Sequence, residues 1–302
     1  MAHLTDPADG NAPVLRAAAG RGLSRLGDPR KGVGVVEAQN FVPLPDIDWV
    51  KIPEVDANGQ REFIYQKDER RTQPTFWMAR YPITYAQFQT FIDAPDGWSN
   101  PDWWKGLARN DQNNQGEQAF PFPNHPRERV SWYQAIAFCR WLTAQAEKWP
   151  ELLPVEVEEK EGWRVTLPTE WQWEKAARGH DGREYPWGTG YRSGFANVDE
   201  TQRKAGPFYL ETSSAVGIYP QGASPYGLLD LSGNVWEWCL NEYKTPKNVQ
   251  ENGSEGRVLR GGSWFHDRNH AAAVYRLRLD PFSRNDYDGF RVVLSRSASV
   301  PV

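Results

Sequence analysis

The sequence predicts one folded domain of mixed helix and short strand in which ordered loops outweigh both. Three observations carry this. The 302 residues include 26 Gly and 23 Pro, about one residue in six, so turns and irregular backbone are abundant. Aromatic residues reach 13%, with 15 Trp, 12 Tyr and 13 Phe, far above a chain that stays disordered. Three helix starts also carry the same local device, a hydroxyl followed three residues later by Gln. A chain of this length buries about three quarters of its unfolded surface, so it needs no disulfide or metal staple.

Taken in order, residues 1–45 are rich in Ala, Gly, Arg, Asp and Pro and read as an arm, poorly structured or used for docking. A short helix is possible there from about Val14 to Leu26. The compact part begins near Asp46 and runs on to residue 302 without a linker or repeat, giving one domain over 46–302. Thr84 with Gln87, Ser131 with Gln134, and Thr169 with Gln172 mark the three helix starts. In each, the hydroxyl accepts from an orphan N–H and the Gln reaches back to the cap. The first helix should stop before Pro95 and the third at Gly179. In the second, Ala135, Ile136, Cys139 and Leu142 share a face, so Cys139 reads as a small buried hydrophobe. The paired aromatics Trp103–Trp104 and Trp171 with Trp173 read as core or loop-pinning residues.

Composition excludes several function classes. Lys and Arg total 35 against 39 Asp and Glu, a net charge of −4, which attracts no polyanion, so no nucleic-acid partner is expected. The two cysteines, Cys139 and Cys239, are far apart and form neither a disulfide framework nor a zinc pair. No 18-residue apolar run occurs and no secretory core is visible, so no membrane association and a cytoplasmic location are expected.

Six blocks carry a family resemblance: Arg80–Phe88, Val130–Trp141, Leu167–Gly179, Tyr226–Trp238 with its Gly-Asn-Val-Trp-Glu-Trp ending, Arg260–Trp264 with Gly-Gly-Ser, and Gly289–Arg291. Together and in this order they resemble the formylglycine-generating-enzyme, or sulfatase-modifying-factor, domain. The resemblance implies an α+β fold of elaborated C-type-lectin-like type, with small twisted sheets, a few helices and much irregular ordered loop. It also implies where chemistry would sit. Oxidase members bind copper through two cysteines, three and eight residues beyond the Ser of Gly-Gly-Ser. Here those positions hold His266 and Ala271, and Cys239 matches neither. A His–Ala pair cannot supply copper thiolate chemistry. The related iron-dependent sulfoxide synthases take three metal histidines from an N-terminal helical bundle, for which residues 1–45, with His3 alone, are too short. Neither catalytic copper nor iron is expected, and the chain reads as not an enzyme.

The stretch 260–294 interleaves two kinds of residue. A framework set holds Arg260, Gly261, Gly262, Ser263, Trp264, Arg268, Ala271 to Arg276, Asp280, Pro281, Arg284 and Gly289 to Leu294. The gaps hold Phe265, His266, Asp267, Asn269, His270, Leu277, Arg278, Leu279, Phe282, Ser283, Asn285, Asp286, Tyr287 and Asp288, without strand or helix periodicity. This pattern resembles the variable region of diversity-generating retroelement proteins. In those proteins, mutagenesis at template adenines turns AAC codons into NNC, and all fourteen residues can be encoded by NNC. The resemblance implies a ligand-binding surface displayed on a lectin-like scaffold. Phe265, Phe282 and Tyr287 would be rigid anchors and Asp, Asn and His would be adaptable hydrogen-bonders. The expected ligand is variable and is a protein. Read this way, His266 and His270 with Asp267 are products of selection rather than a metal cluster. The alternative is a catalytically inactive or atypical formylglycine-generating-enzyme paralogue. A further option is a silent module that docks a partner protein through its N-terminal arm.

One cofactor is implied by the family resemblance: a structural calcium held by the carboxylates of Asp230 and Glu237 and the carbonyls of Gly233 and Val235. Hard oxygen ligands of this kind suit calcium. The competing view makes Glu237 an ion-pair partner and Asp230 a turn cap.

Overall fold

The computed structural model describes residues 4, 6, 12–38, 42–108, 111–157 and 162–296. Helix α1 (Pro13–Leu26) is followed by strands β1 (Val35–Glu37), β2 (Pro43–Pro45), β3 (Trp49–Ile52), β4 (Phe63–Tyr65), β5 (Glu69–Arg71) and β6 (Phe76–Ala79). Helices α2 (Tyr85–Asp93) and α3 (Trp132–Lys148) precede β7 (Trp163–Thr166), and α4 (Glu170–Arg178) follows it. The chain closes with β8 (Trp236–Glu242), β9 (Arg257–Arg260), β10 (Leu277–Leu279), β11 (Asp288–Gly289) and β12 (Val293–Arg296). Among the described residues, no helix is long and apolar enough to cross a membrane.

All three capping boxes form, with the hydroxyls of Thr84, Ser131 and Thr169 accepting from the N–H groups of Gln87, Gln134 and Gln172. Each Gln side chain accepts the cap N–H in return, which settles two orphan donors per helix. α4 ends at Gly179 with φ 66°, a backbone that favours Gly. Cys139 is buried in α3, and burial pushes its thiol well above the usual range.

Two four-stranded sheets organise the body. One has the order β3–β6–β12–β7, entirely antiparallel, so the last strand of the chain lies in its middle. The other has the order β10–β9–β8–β11, where only β11 runs parallel to its neighbour. Trp132, Trp141, Trp171, Trp236 and Trp238 are buried between these sheets and the helices. The strands are short, and β8 is buried along its whole length, so it shows no alternation of apolar and polar residues.

The described part of the N-terminal segment packs on the body. α1 lays Ala17 against Ala215, Ile218 and Tyr219, and Arg16 donates to the Ile218 carbonyl and to Gln221. β1 and β2 form a hairpin-like pair, and the Gly32 N–H donates to Asp46. This packing depends on partners some 200 residues away, which local composition cannot report.

Candidate functional site

The segment between β9 and β12 is pinned by arginines. Arg260, fully buried, contacts the carboxylates of Glu170 and Glu174 on α4 and donates to the Ala273 carbonyl at 2.7 Å. Arg276 donates to both oxygens of Glu170 at 2.5 and 2.9 Å. Arg291 grips both oxygens of Glu237 at 2.7 and 2.6 Å and donates to three main-chain carbonyls. Paired, hydrogen-bonded charges are the form in which ionised groups survive burial. Gly262, at φ 74°, lies against Ala271, where any Cβ would come within 2.9 Å of its backbone. Ala271 to Ala273 are buried, so the turn carrying Phe265 to His270 rests on a closely packed floor.

On this base sits an aromatic patch. Phe265 stacks on Tyr287, with centroids 5.5 Å apart and planes 9° apart. His266 meets Tyr287 at 5.3 Å and His270 at 5.0 Å, and His270 meets Tyr275 at 4.7 Å. Trp236 underlies both histidines and Tyr275, while Trp264 links Phe265 to Phe120. Phe265 is 47% exposed and Tyr275 36%. Burial lowers the His266 imidazole to about 4, so it is neutral at pH 7, where its Nδ1 shares a hydrogen bond with Ser263 and accepts from Trp236.

Twelve of the fourteen gap residues keep part of their surface in solvent. Asp267 and Asp288, at 4% and 0% exposure, do not, and both depart from the expected surface role. Burial opposes ionisation of Asp267, yet hydrogen bonds from Arg203 and His270 hold its carboxyl down at about 2. Asp288 accepts from the Asn285 N–H and side-chain amide, and burial pushes its carboxyl up to about 7. Both therefore shape the loops that present the patch.

The fourteen also fall into separate groups. Phe265, His266, His270 and Tyr287 come together. Leu277, Arg278 and Leu279 form the edge strand β10, at the opposite side of the sheet from β11, with the two leucines leaning on the core. Phe282 and Ser283 lie in the turn after Pro281, whose carbonyl accepts from the N–H of Trp132 at the start of α3. Asn269 is exposed at the tip of the Asp267 turn, and Asp286 faces Arg129 at 3.9 Å. Phe120, Arg203 and Tyr275 join the patch although sequence reasoning did not select them. Tyr275 lies inside the framework run, and the other two are remote in sequence.

The two carboxylates expected to hold calcium, Asp230 and Glu237, are engaged by donors of the protein. Both Glu237 oxygens are taken by Arg291, and one also accepts from Trp173 Nε1 at 2.6 Å. Asp230 accepts from the Gly217 N–H at 2.6 Å, and burial raises its carboxyl to about 6. A guanidinium already neutralises the carboxylate that a divalent cation would need. Among the described residues, no group of three or more His, Cys, Asp or Glu side chains is placed to hold a metal ion.

Comparison with known proteins gives the family. Residues 51–296 match the sulfatase-modifying factor enzyme 1-like domain. Hercynine oxygenase of Mycolicibacterium smegmatis is 30% identical over 255 residues, covering 72% of this chain and 53% of that protein. The inactive C-alpha-formylglycine-generating enzyme 2 of Mus musculus is 36% identical over 180 residues, covering 56% of this chain and 49% of that protein. The chain thus spans about half the length of these curated relatives. Among solved structures, Treponema denticola variable protein 1 aligns with a TM-score of 0.55 at 21% identity, covering 87% of this chain and 99% of that one. CarF aligns at 0.53 and 22% identity, covering 83% and 98%.

These relatives correct one expectation. The reading as not an enzyme rested on the missing thiol pair at positions 266 and 271 and on residues 1–45 being too short for an iron-binding histidine bundle, but relatives at about 30% identity are named as oxygenases. Loss of one cysteine pair removes one chemistry from the fold and leaves others open. By sequence match and by architecture, this chain belongs to the sulfatase-modifying factor enzyme 1-like domain family and has its elaborated C-type-lectin-like fold.

Proposed function

We propose that the C-terminal surface of this chain is a ligand-binding surface diversified by a retroelement, and that its ligand is a protein. The observation that carries this is the sorting of residues within 260–294. Gap residues reach solvent at twelve of fourteen positions, while Arg260, Gly261, Gly262, Ala271 to Ala273, Gly289 and Arg291 of the framework are buried. Stacked Phe265 and Tyr287 supply large contact area at low entropic cost, as rigid aromatic anchors do in paratopes. The likeness in fold to a protein named as variable supports the same reading. Sequencing this gene and its flanks from a growing population tests it. Variation confined to the gap codons, with a near-copy of the coding segment carrying AAC at those codons beside a reverse transcriptase gene, is the expected result. Invariant gap codons with no such copy would overturn it.

A second reading, a catalytically inactive or atypical formylglycine-generating-enzyme paralogue, is favoured by the curated relatives. Incubating the full chain with copper and a cysteine-containing sulfatase peptide, read by mass spectrometry, tests it. Conversion of the peptide cysteine to formylglycine supports the atypical enzyme, and an unchanged peptide removes it and leaves the inactive paralogue.

A further inference from the structure

Charge on the elements around the aromatic patch is sorted by depth. Three segments border the patch. Residues 199–204 reach it where the Asp199 N–H donates to the His266 carbonyl and Arg203 pairs with Asp267. Residues 265–270 carry Phe265, His266 and His270 of the patch, and 284–288 bring Tyr287 onto Phe265. These segments contain five carboxylates, Asp199, Glu200, Asp267, Asp286 and Asp288. Four of them are buried, and Asp286 alone keeps partial exposure. The buried four are held by neighbouring side chains that themselves reach the surface: Asp199 by Thr201 and Gln202, Glu200 by Tyr191 and Ser193, Asp267 by Arg203 and His270, Asp288 by Asn285. The cations of the same segments, Arg203, Lys204, Arg268 and Arg284, are all unburied. Arg129, beside Asp286, adds a fifth that is 41% exposed.

Arg203 pairs with Asp267 and Arg129 with Asp286, so Lys204, Arg268 and Arg284 carry the exposed positive charge of the rim, on a chain whose net charge is −4. Fields of this kind act within about a Debye length, roughly 8 Å at physiological salt, so the local sign governs contact. We infer that the partner presents an acidic protein surface carrying at least one exposed aromatic or aliphatic side chain, the carboxylates meeting the rim and the apolar group meeting Phe265 and Tyr287. This rests on the proposed binding role of the surface. A polynucleotide is disfavoured because a long polyanion meets the negative remainder of the chain as well as the rim.

Fluorescence anisotropy on the full chain tests the inference with three labelled probes: a random Glu–Tyr copolymer, a Lys–Tyr copolymer and an oligothymidylate. The Glu–Tyr copolymer should bind most tightly, and its affinity should fall as salt rises. The variant Lys204→Gln/Arg268→Gln/Arg284→Gln removes no buried partner and should weaken binding about tenfold, chiefly through the association rate. Phe265→Ala should weaken it as well. Tighter binding of either other probe, no binding of the Glu–Tyr copolymer, or full affinity in the triple variant would overturn the acidic partner. If Phe265→Ala still weakens binding when the triple variant does not, the surface stands and the charge assignment falls. If neither variant changes binding, both fall.

Discussion

Arg291 lies wholly out of water and directs its donors at five acceptors: both Glu237 oxygens and the carbonyls of Ala79, Arg80 and Leu229. Removing one member of such a pair strands the other in the interior, which costs roughly 3–5 kcal/mol. Arg291→Ala should lose about that much stability, read from the midpoint of urea unfolding at constant slope. Glu237, by contrast, gains nothing from added calcium because its oxygens are already occupied.

Asp288 makes the residue-level electrostatics testable. Its carboxyl is raised by burial to about 7, against an ordinary value of 3.8. Between those values the native state binds more protons than the unfolded state, so this group's contribution to stability falls as pH rises from about 4 to about 7. Glu128, at about 7, and Asp230, at about 6, act in the same direction, also through burial. Comparing the wild type with Asp288→Asn isolates Asp288. The neutral variant should show a flatter loss of stability across pH 4–7 in denaturant titrations. Parallel profiles for the two proteins would show that Asp288 ionises normally.

Among elements, the helices were the most legible. Each capping box names its own first turn, because both partners lie within four residues. Ser131 does more than cap: its hydroxyl also donates to Asp111 at 2.6 Å. Ser131→Ala should cost about 1–2 kcal/mol by thermal or chemical unfolding, with α3 retained in circular dichroism. Strands were far less legible. β10 and β11 are three and two residues long, and β8 is buried on both faces, so none offers a period of two. α1 was legible as a possible short helix, but its packing surface, Ala215, Ile218 and Tyr219, was not, because it lies some 200 residues away.

For the whole molecule, family motifs in order identified the fold, while the surface had to be assembled in space. The spacing of framework and gap residues pointed to Phe265, His266, His270 and Tyr287, which do meet. It could not separate them from Leu277 and Leu279 across the sheet, nor from Asp267 and Asp288, whose burial depends on partners in three dimensions. Arg129, Arg203 and Phe120 come from other parts of the chain and leave no local trace in the pattern.

A framework that carries its surface without depending on it makes a direct demand on stability. The variant Phe265→Ser/His270→Asn/Phe282→Ser/Tyr287→Asn alters four solvent-reaching side chains at once and leaves Asp267, Asp288 and the arginines in place. Its urea unfolding should remain one cooperative transition and cost no more than about 2 kcal/mol, less than Arg291→Ala alone. A variant that unfolds in stages, or loses more stability than Arg291→Ala, would show the patch to be part of the core, and the binding surface would have to be sought elsewhere.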